Sequence, residues 1–221
     1  VCLTASLPAP ATPAAVPLTV PTSPEGSFSC FTAFPWIAWA APPASPTDAA
    51  PPPLPVAGAY EIGSPALTDL WVDPLLGDDG RTGATRAQAL QTVAEAWNRI
   101  PMATPLSTGY RIMLVAGNYP PENLPNYWES RYGTFEAPIL VQAADGPGTA
   151  TLAALNIFDT HYLYLLDLTI SYPGGDVLHC ELCDHFLVRG VTVIGAEPET
   201  FDVQETVKIN QSQSVFIENS D

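Results

Sequence analysis

Short runs of alternating apolar residues recur along the second half of the chain. Five of them align when each is represented by one apolar position, with spacings of 27, 24, 23 and 29 residues between Ile112, Ile139, Leu163, Phe186 and Val215. A repeat of roughly 20–50 residues is typical of a solenoid, in which each repeat stacks on the next. Because each repeat here holds short strands and no helix, the pattern predicts that it is one coil of a parallel β-helix.

A second group of apolar positions supports this alignment. Two further columns lie upstream of the last three anchors and consist of Leu155, Leu178 and Val207 and of Ile157, Cys180 and Ile209. Successive side chains of a strand point to opposite faces, so both columns are expected to face inward and the residues between them outward. The unequal spacings are then loops, such as the long acidic stretch 195–204.

One helix precedes these strands. Thr92 and Glu95 form a capping box, and apolar residues follow at helical spacing, which predicts a helix over 92–100. The segment before it is rich in turn-forming residues. Within that segment we assign Asp78 and Asp79 to turn geometry rather than to calcium binding.

The order of these features resembles the opening of pectate-lyase-like right-handed parallel β-helix proteins. The resemblance covers about residues 70–221 and rests on Trp71-Val72-Asp73-Pro74, Gly77-Asp78-Asp79-Gly80, the Thr-initiated helix, the strand ending in Gly117-Asn118-Tyr119, and Ala137-Pro138-Ile139-Leu140-Val141. It implies that the helix caps the first coil. It implies little about activity, because that superfamily includes lyases, glycosidases, epimerases, tailspikes and adhesins.

The first part of the chain has a different composition. Residues 1–66 hold fifteen of the 25 prolines, and no Lys or Arg occurs before Arg81. Proline fixes φ and removes backbone donors, which favours polyproline II over helix or sheet. We therefore predict an extended Pro-rich arm over 1–66 and an all-β domain over 67–221, a right-handed parallel β-helix capped by a short N-terminal α-helix.

An aromatic cluster at 28–39 is unusual for a linker, and it consists of Phe28, Phe31, Phe34, Trp36 and Trp39. Exposed aromatic clusters usually mark contacts, so these residues are our candidates for binding a partner chain or a membrane surface. The alternative is that they pack onto the folded domain of the same chain. The apolar run 30–41 is too short for a transmembrane helix and is interrupted by Pro35.

The net charge of the chain limits the classes of molecule that it can bind. The chain has 23 acidic and 7 basic side chains, a formal net charge of −16. Nucleic acid is excluded because a groove that binds its backbone needs several Lys and Arg residues.

The N-terminus indicates an oxidising, extracytoplasmic location, either secreted or on the cell surface. The chain begins Val1-Cys2-Leu3 without the features of a signal peptide, so we expect it to be already processed. Cys2 suggests either a lipid-bearing cysteine or, more simply, a disulfide with Cys30. At the other terminus, residues 218–221 stop within a coil, so we expect either further chain or another subunit to cover that end.

The segment Cys180-Glu181-Leu182-Cys183, flanked by His179 and His185, could suggest zinc or redox chemistry. Both cysteines fall in inward columns, however. We favour small buried thiols that pack in the core, with a disulfide or a metal site as the alternatives.

Polar residues gather on the outward side of the same strands. Two columns are expected there, Asn156, His179 and Lys208 in one and Phe158, Glu181 and Asn210 in the other. The resemblance implies that lyases use such a face, where calcium neutralises a uronate and a Lys or Arg removes a proton. His179, Glu181, Lys208 and Asn210 are therefore candidate catalytic residues, against the alternative of an ordinary solvated face. No cofactor is expected, apart from calcium under the lyase alternative.

Two further sets of residues have structural or binding interpretations. Arg189 and Glu218 share a column and are expected to form an ion pair between coils, while His161, Asp184 and Gln213 form a polar column at a bend. Stacking faces for a glycan could come from four aromatic residues, Tyr162, Tyr164, Phe158 and Trp128.

The sequence thus supports three hypotheses for the function. The first is a non-catalytic surface, filament or complex subunit, with a β-helix platform and an arm that docks onto a protein partner or mediates self-assembly. The alternatives are a polysaccharide lyase or glycoside hydrolase acting on the outer face, and a glycan-binding module.

Overall fold

The computed structural model describes residues 59–196 and 205–221. The arm before residue 59, with its aromatic cluster 28–39, Cys2 and Cys30, lies outside the described residues, as does most of the acidic loop. The described part is all-β, with fourteen strands, one short α-helix and two 3-10 turns.

The strands are β1 Leu67–Val72, β2 Gly109–Leu114, β3 Gly117–Tyr119, β4 Trp128–Tyr132, β5 Ile139–Ala143, β6 Ala150–Leu152, β7 Leu155–His161, β8 Leu163–Leu166, β9 Thr169–Ser171, β10 Leu178–Glu181, β11 Asp184–Arg189, β12 Thr192–Ile194, β13 Val207–Asn210 and β14 Gln213–Glu218. The helix α1 is Val93–Asn98, and the 3-10 turns are Arg86–Gln88 and Pro121–Asn123.

The strands pair in three parallel ladders. The first ladder is β1-β2-β5-β8-β11-β14, the second is β3-β6-β9-β12, and the third is β4-β7-β10-β13. From β2 to β14 the chain visits the first, second and third ladders in turn, again and again. A single pairing of Asp184 with His161 joins the first ladder to the third. The predicted all-parallel strand architecture is confirmed.

The predicted register is confirmed in the third ladder. Leu178 lies opposite Leu155 and Val207, and Cys180 lies opposite Ile157 and Ile209. In the first ladder Phe186 lies opposite Val215, as predicted.

One part of the predicted alignment is wrong. Ile112 lies opposite Val141, and Ile139 lies opposite Tyr110. The predicted pairing of Ile112 with Ile139 is therefore displaced by two residues. A displacement of two preserves the face of the strand, so both isoleucines are still fully buried in the core.

The cysteine pair differs from the favoured interpretation. Cys180 and Cys183 are buried, as the register predicts, but their sulfur atoms form a disulfide. The disulfide, which was one of the alternatives, links the end of β10 to the residue before β11. It lies across the bend between the third and first ladders because both side chains point into the same core.

The helix lies beside the first strands and is held at its start by the predicted cap. The Thr92 hydroxyl accepts a hydrogen bond from the backbone N–H of Glu95. The Asp79 carboxylate in turn accepts from the backbone and hydroxyl of Thr92 and so holds the start of the helix, whereas Asp78 Oδ1 accepts from the Gly80 N–H within the turn. The helix ends at Asn98 rather than at Ile100, although the Ile100 side chain is still buried.

Trp97 of α1 packs on Trp128 of β4, with ring centroids 5.0 Å apart. The guanidinium of Arg131 is buried over Trp97 and donates to the backbone carbonyl of Trp97. Burial lowers the pKa of Arg131 from its ordinary value. A cation near the last carbonyls of a helix is electrostatically favourable, so Arg131 ties α1 to the third ladder.

The bend that follows the first ladder repeats the same left-handed backbone conformation after β5, β8, β11 and β14. At the bend from the first to the second ladder, the residues at equivalent positions have left-handed φ values of 72°, 58°, 64° and 48° at Gly148, Asp167, Gly190 and Asn219. Gly, Asp and Asn tolerate this region best. The composition of this column therefore follows from the turn that every level must make.

Residues 60–66 pack along the outer face of the first ladder. The Tyr60 ring lies between Tyr164 and Phe216, and the Tyr60 N–H donates to the Glu218 carboxylate. Arg189 donates to the same carboxylate at 2.8 Å, which confirms the predicted ion pair. These two donors, the Tyr60 N–H first, lower the pKa of Glu218.

A substitution of Gly190 by alanine tests the importance of the left-handed bend. The bend would hold the alanine at a φ of 64°, which L-residues rarely adopt, and its Cβ would lie 2.6 Å from the Asp167 carboxylate oxygen Oδ1. We expect a loss of about 1–2 kcal/mol in the free energy of unfolding, since the Asp167 side chain can move but the backbone strain remains. Urea denaturation followed by circular dichroism measures it.

The matched control is Gly174→Ala, because nothing lies within 4 Å of a Cβ built there. That variant is expected to unfold at the wild-type midpoint or slightly above it. Equal midpoints for G190A and G174A would show that the repeated bend is not needed for stability.

Candidate functional site

The predicted polar residues meet on the outer face of the third ladder, and we call this set of six the outer patch. Its members are Asn156, His179, Lys208, Phe158, Glu181 and Asn210, in the two predicted columns. The alternation along β7, β10 and β13 directs Leu155, Leu178 and Val207 to the opposite face. The strand register thus contains the two columns of the outer patch, and the chemistry of these six residues follows from their contacts.

His179 joins two amide side chains. Its Nδ1 lies 3.2 Å from Asn156 Oδ1, and its Nε2 lies 3.4 Å from Asn210 Nδ2. A neutral imidazole with its proton on Nδ1 satisfies both contacts, because it donates to the Asn156 oxygen and accepts from the Asn210 amide. Asn156, His179 and Asn210 therefore form a hydrogen-bonded chain across three strands.

Lys208 turns away from the other candidate residues. Its Nζ lies 3.3 Å from Asp176 Oδ2 and 3.6 Å from Glu205 Oε2. The hydrogen bond to Asp176, and then the charges of both carboxylates, raise the pKa of Lys208 above its ordinary value. A general base must be unprotonated near the working pH, so Lys208 in this setting is poorly suited to proton abstraction.

Glu181 has a separate partner. Its Oε1 accepts from Gln211 Nε2 at 3.4 Å. The outer patch thus does not bring Glu181 and Lys208 together as an acid–base pair. It does not fit calcium either, since Glu181 is its one carboxylate and calcium takes six to eight oxygen ligands. No cluster of three or more His, Cys, Asp or Glu side chains suited to a metal ion occurs among residues 59–196 and 205–221.

For two of the four aromatic residues that were predicted to offer stacking faces, the prediction is wrong because their rings are buried. Trp128 is fully buried because β4 is itself a member of the third ladder, where Trp128 lies opposite Ile157. Tyr164 is fully buried because Tyr60 covers it, with the two hydroxyl oxygens 3.0 Å apart. Phe158 is 37% exposed and is the member of the set that a ligand can reach most easily.

The fourth residue, Tyr162, belongs to an arrangement that the sequence analysis did not anticipate. Its ring stacks on His185 at a centroid distance of 4.2 Å, and Tyr132 stacks on His161 at 4.7 Å. His161 also stands in its predicted column beside Asp184 and Gln213. The sequence signal for these pairs was the recurrence of His and Tyr at the bend between the third and first ladders.

A concavity lies at the ends of the second-ladder strands. It is a groove of about 650 Å³, and its wall includes Pro74, Leu75, Asn118, Pro120, Tyr172 and Pro173. This groove was not predicted from the sequence, because its wall is built from turns that follow β1, β3 and β9. The Pro120-Pro121 and Tyr172-Pro173 pairs were the available signal.

No protein family matches this chain, and neither a curated protein nor a solved structure shows significant similarity to it. In the described ranges, no helix has the length and apolar character that crossing a bilayer requires.

Replacement of Lys208 by methionine tests its structural role. The pKa of Lys208 is higher in the folded chain than its ordinary 10.5, so the ammonium stabilises the fold below that pH and the contribution disappears as the pH rises through the raised value. We expect K208M to unfold at lower denaturant concentration than wild type at pH 7. The difference is expected to shrink as the pH rises above about 10.5.

Glu205→Gln serves as the comparison, because Glu205 is the more distant and more exposed of the two partners of Lys208. Its effect at pH 7 is expected to be the smaller. A K208M midpoint equal to that of wild type at pH 7 would contradict the structural role.

Proposed function

We propose that residues 67–221 form a right-handed parallel β-helix of the pectate-lyase-like type, with α1 as its cap. The repeated visit of the chain to three parallel ladders supports a solenoid. Right-handed crossovers are strongly preferred between parallel strands of one sheet, which supports that hand.

On this β-helix we propose a non-catalytic surface, filament or complex subunit, whose arm docks onto a neighbouring subunit. The aromatic cluster 28–39 within the Pro-rich arm carries the proposal. Five large aromatic side chains in twelve residues amount to a large apolar surface, which a protein contact would bury. A β-helix provides a rigid platform for such contacts, because each level is held by parallel hydrogen bonding to the next.

The outer patch is consistent with a platform rather than an enzyme. The charge of the Lys208 ammonium is balanced by the carboxylates of Asp176 and Glu205, and His179 is held between two amides. A polysaccharide lyase or hydrolase remains the alternative function, and the raised pKa of Lys208 makes this patch a weaker candidate for it.

We also propose an extracytoplasmic location, secreted or at the cell surface. The buried disulfide between Cys180 and Cys183 supports it, since disulfides persist in oxidising compartments. A Cys2–Cys30 disulfide and a lipid anchor at Cys2 are the two proposals for the N-terminal cysteines.

The test is deletion of residues 1–58, which keeps Tyr60 and its contacts with Tyr164 and Glu218. The oligomeric state of the full chain and of the shortened chain is measured by size-exclusion chromatography with light scattering. We expect the full chain to assemble and the shortened chain to be monomeric, with a strand-type circular dichroism spectrum retained.

A second variant separates aromatic docking from arm length. It replaces the five cluster aromatics Phe28, Phe31, Phe34, Trp36 and Trp39 by serine, and its matched control replaces five arm threonines by alanine at Thr4, Thr12, Thr19, Thr22 and Thr47. The aromatic variant is expected to lose assembly and the threonine variant to keep it. An oligomeric state unchanged by the deletion would refute the proposal.

A further inference from the structure

The groove beside the second ladder has walls at two levels of the stack. Pro120 and Pro121 follow β3, and Tyr172 and Pro173 follow β9. Since β6 pairs with both β3 and β9, these walls are two strand spacings apart, about 9.6 Å. The exposed Leu75 also lines the groove.

The groove is free of charge although the protein is strongly acidic. None of the described residues that line it is Asp, Glu, Lys, Arg or His, while the chain has a net charge of −16. Its polar side chains include the amides and aliphatic hydroxyls of Gln91, Asn118, Asn123, Thr151 and Ser171. A proline- and tyrosine-lined groove with neutral hydrogen-bonding groups suits a neutral ligand with backbone carbonyls, as in the recognition of polyproline II segments.

The same chain contains such a segment. Residues 51–55 read Pro-Pro-Pro-Leu-Pro, end four residues before the described part begins, and carry no charge. A polyproline II helix repeats every three residues, or about 9.3 Å, so Pro52 and Pro55 are one repeat apart. That repeat agrees with the separation of the two groove walls.

We propose that the groove beside the second ladder binds residues 51–55 of a second copy of this chain in the polyproline II conformation. Pro52 and Pro55 occupy the positions beside the two walls, and the amides of Gln91 and Asn118 donate to the backbone carbonyls of the segment. This inference rests on the proposed function and names the partner for one part of the arm.

The first measurement uses full-length variants. Leu75→Asp introduces a carboxylate into the groove wall, and Leu76→Asp is the matched control because Leu76 is equally exposed but does not line the groove. By light scattering at a series of concentrations, we expect L75D to raise the concentration of half-assembly at least tenfold and L76D to change it less than twofold. Asn118→Asp gives a second disruption of the same wall if L75D does not fold.

The second measurement uses a fluorescent peptide of residues 50–59 with the full-length protein. Fluorescence anisotropy is expected to show saturable binding, and excess unlabelled peptide is expected to dissociate the assembly. The same peptide with Pro52 and Pro55 replaced by alanine is expected to bind at least tenfold more weakly.

The outcomes separate this inference from the proposed function. If deletion of residues 1–58 abolishes assembly while L75D assembles like L76D and the peptide does not bind, this inference is overturned and the docking arm stands. If the deletion leaves assembly unchanged, the proposed function fails whatever the peptide does. Binding of a neutral oligosaccharide that displaces the peptide, with no effect of L75D on assembly, would assign the groove to a glycan instead.

Discussion

The described part of this protein depends on parallel pairing of strands in register, level upon level. Parallel hydrogen bonding keeps equivalent residues opposite each other, so each inward column becomes a continuous stack of apolar side chains. The column Leu155, Leu178 and Val207 shows this arrangement. The chain also makes the same turn after β5, β8, β11 and β14, which explains the left-handed residues that recur there, such as Asp167 and Gly190.

The same register determines where chemistry is available on the surface. Outward residues meet their equivalents one strand away, so polar groups tend to satisfy each other, as Asn156 and His179 do, and His179 also reaches Asn210 of the neighbouring column. A binding site of another kind therefore needs loops or turns that rise above these columns. The groove arises in this way, because turns after β3 and β9 rise on either side of short strands and leave neutral walls facing each other.

Much of the fold was predictable from the sequence because apolar side chains repeat at both the strand period and the level period. Alternation of apolar residues is the same in registers two residues apart, which explains the displacement of Ile112, and it indicates that Cys180 is buried without indicating its disulfide. Trp128 and Tyr164 were predicted to be accessible, but α1 packs on Trp128 and Tyr60 covers Tyr164. Both contacts come from segments distant in the chain, which the local pattern does not indicate. The outer-patch positions were predictable, whereas the partners of Lys208 lie in loops without periodicity.

A crystal structure of the full-length chain tests the central claim most directly, through the separation of equivalent Cα atoms at Leu163, Phe186 and Val215. The account predicts that these atoms stand above one another at successive intervals of about 4.8 Å, with their side chains in one core. Intervals that do not correspond to neighbouring parallel strands, or a Phe186 side chain directed to solvent, would contradict it.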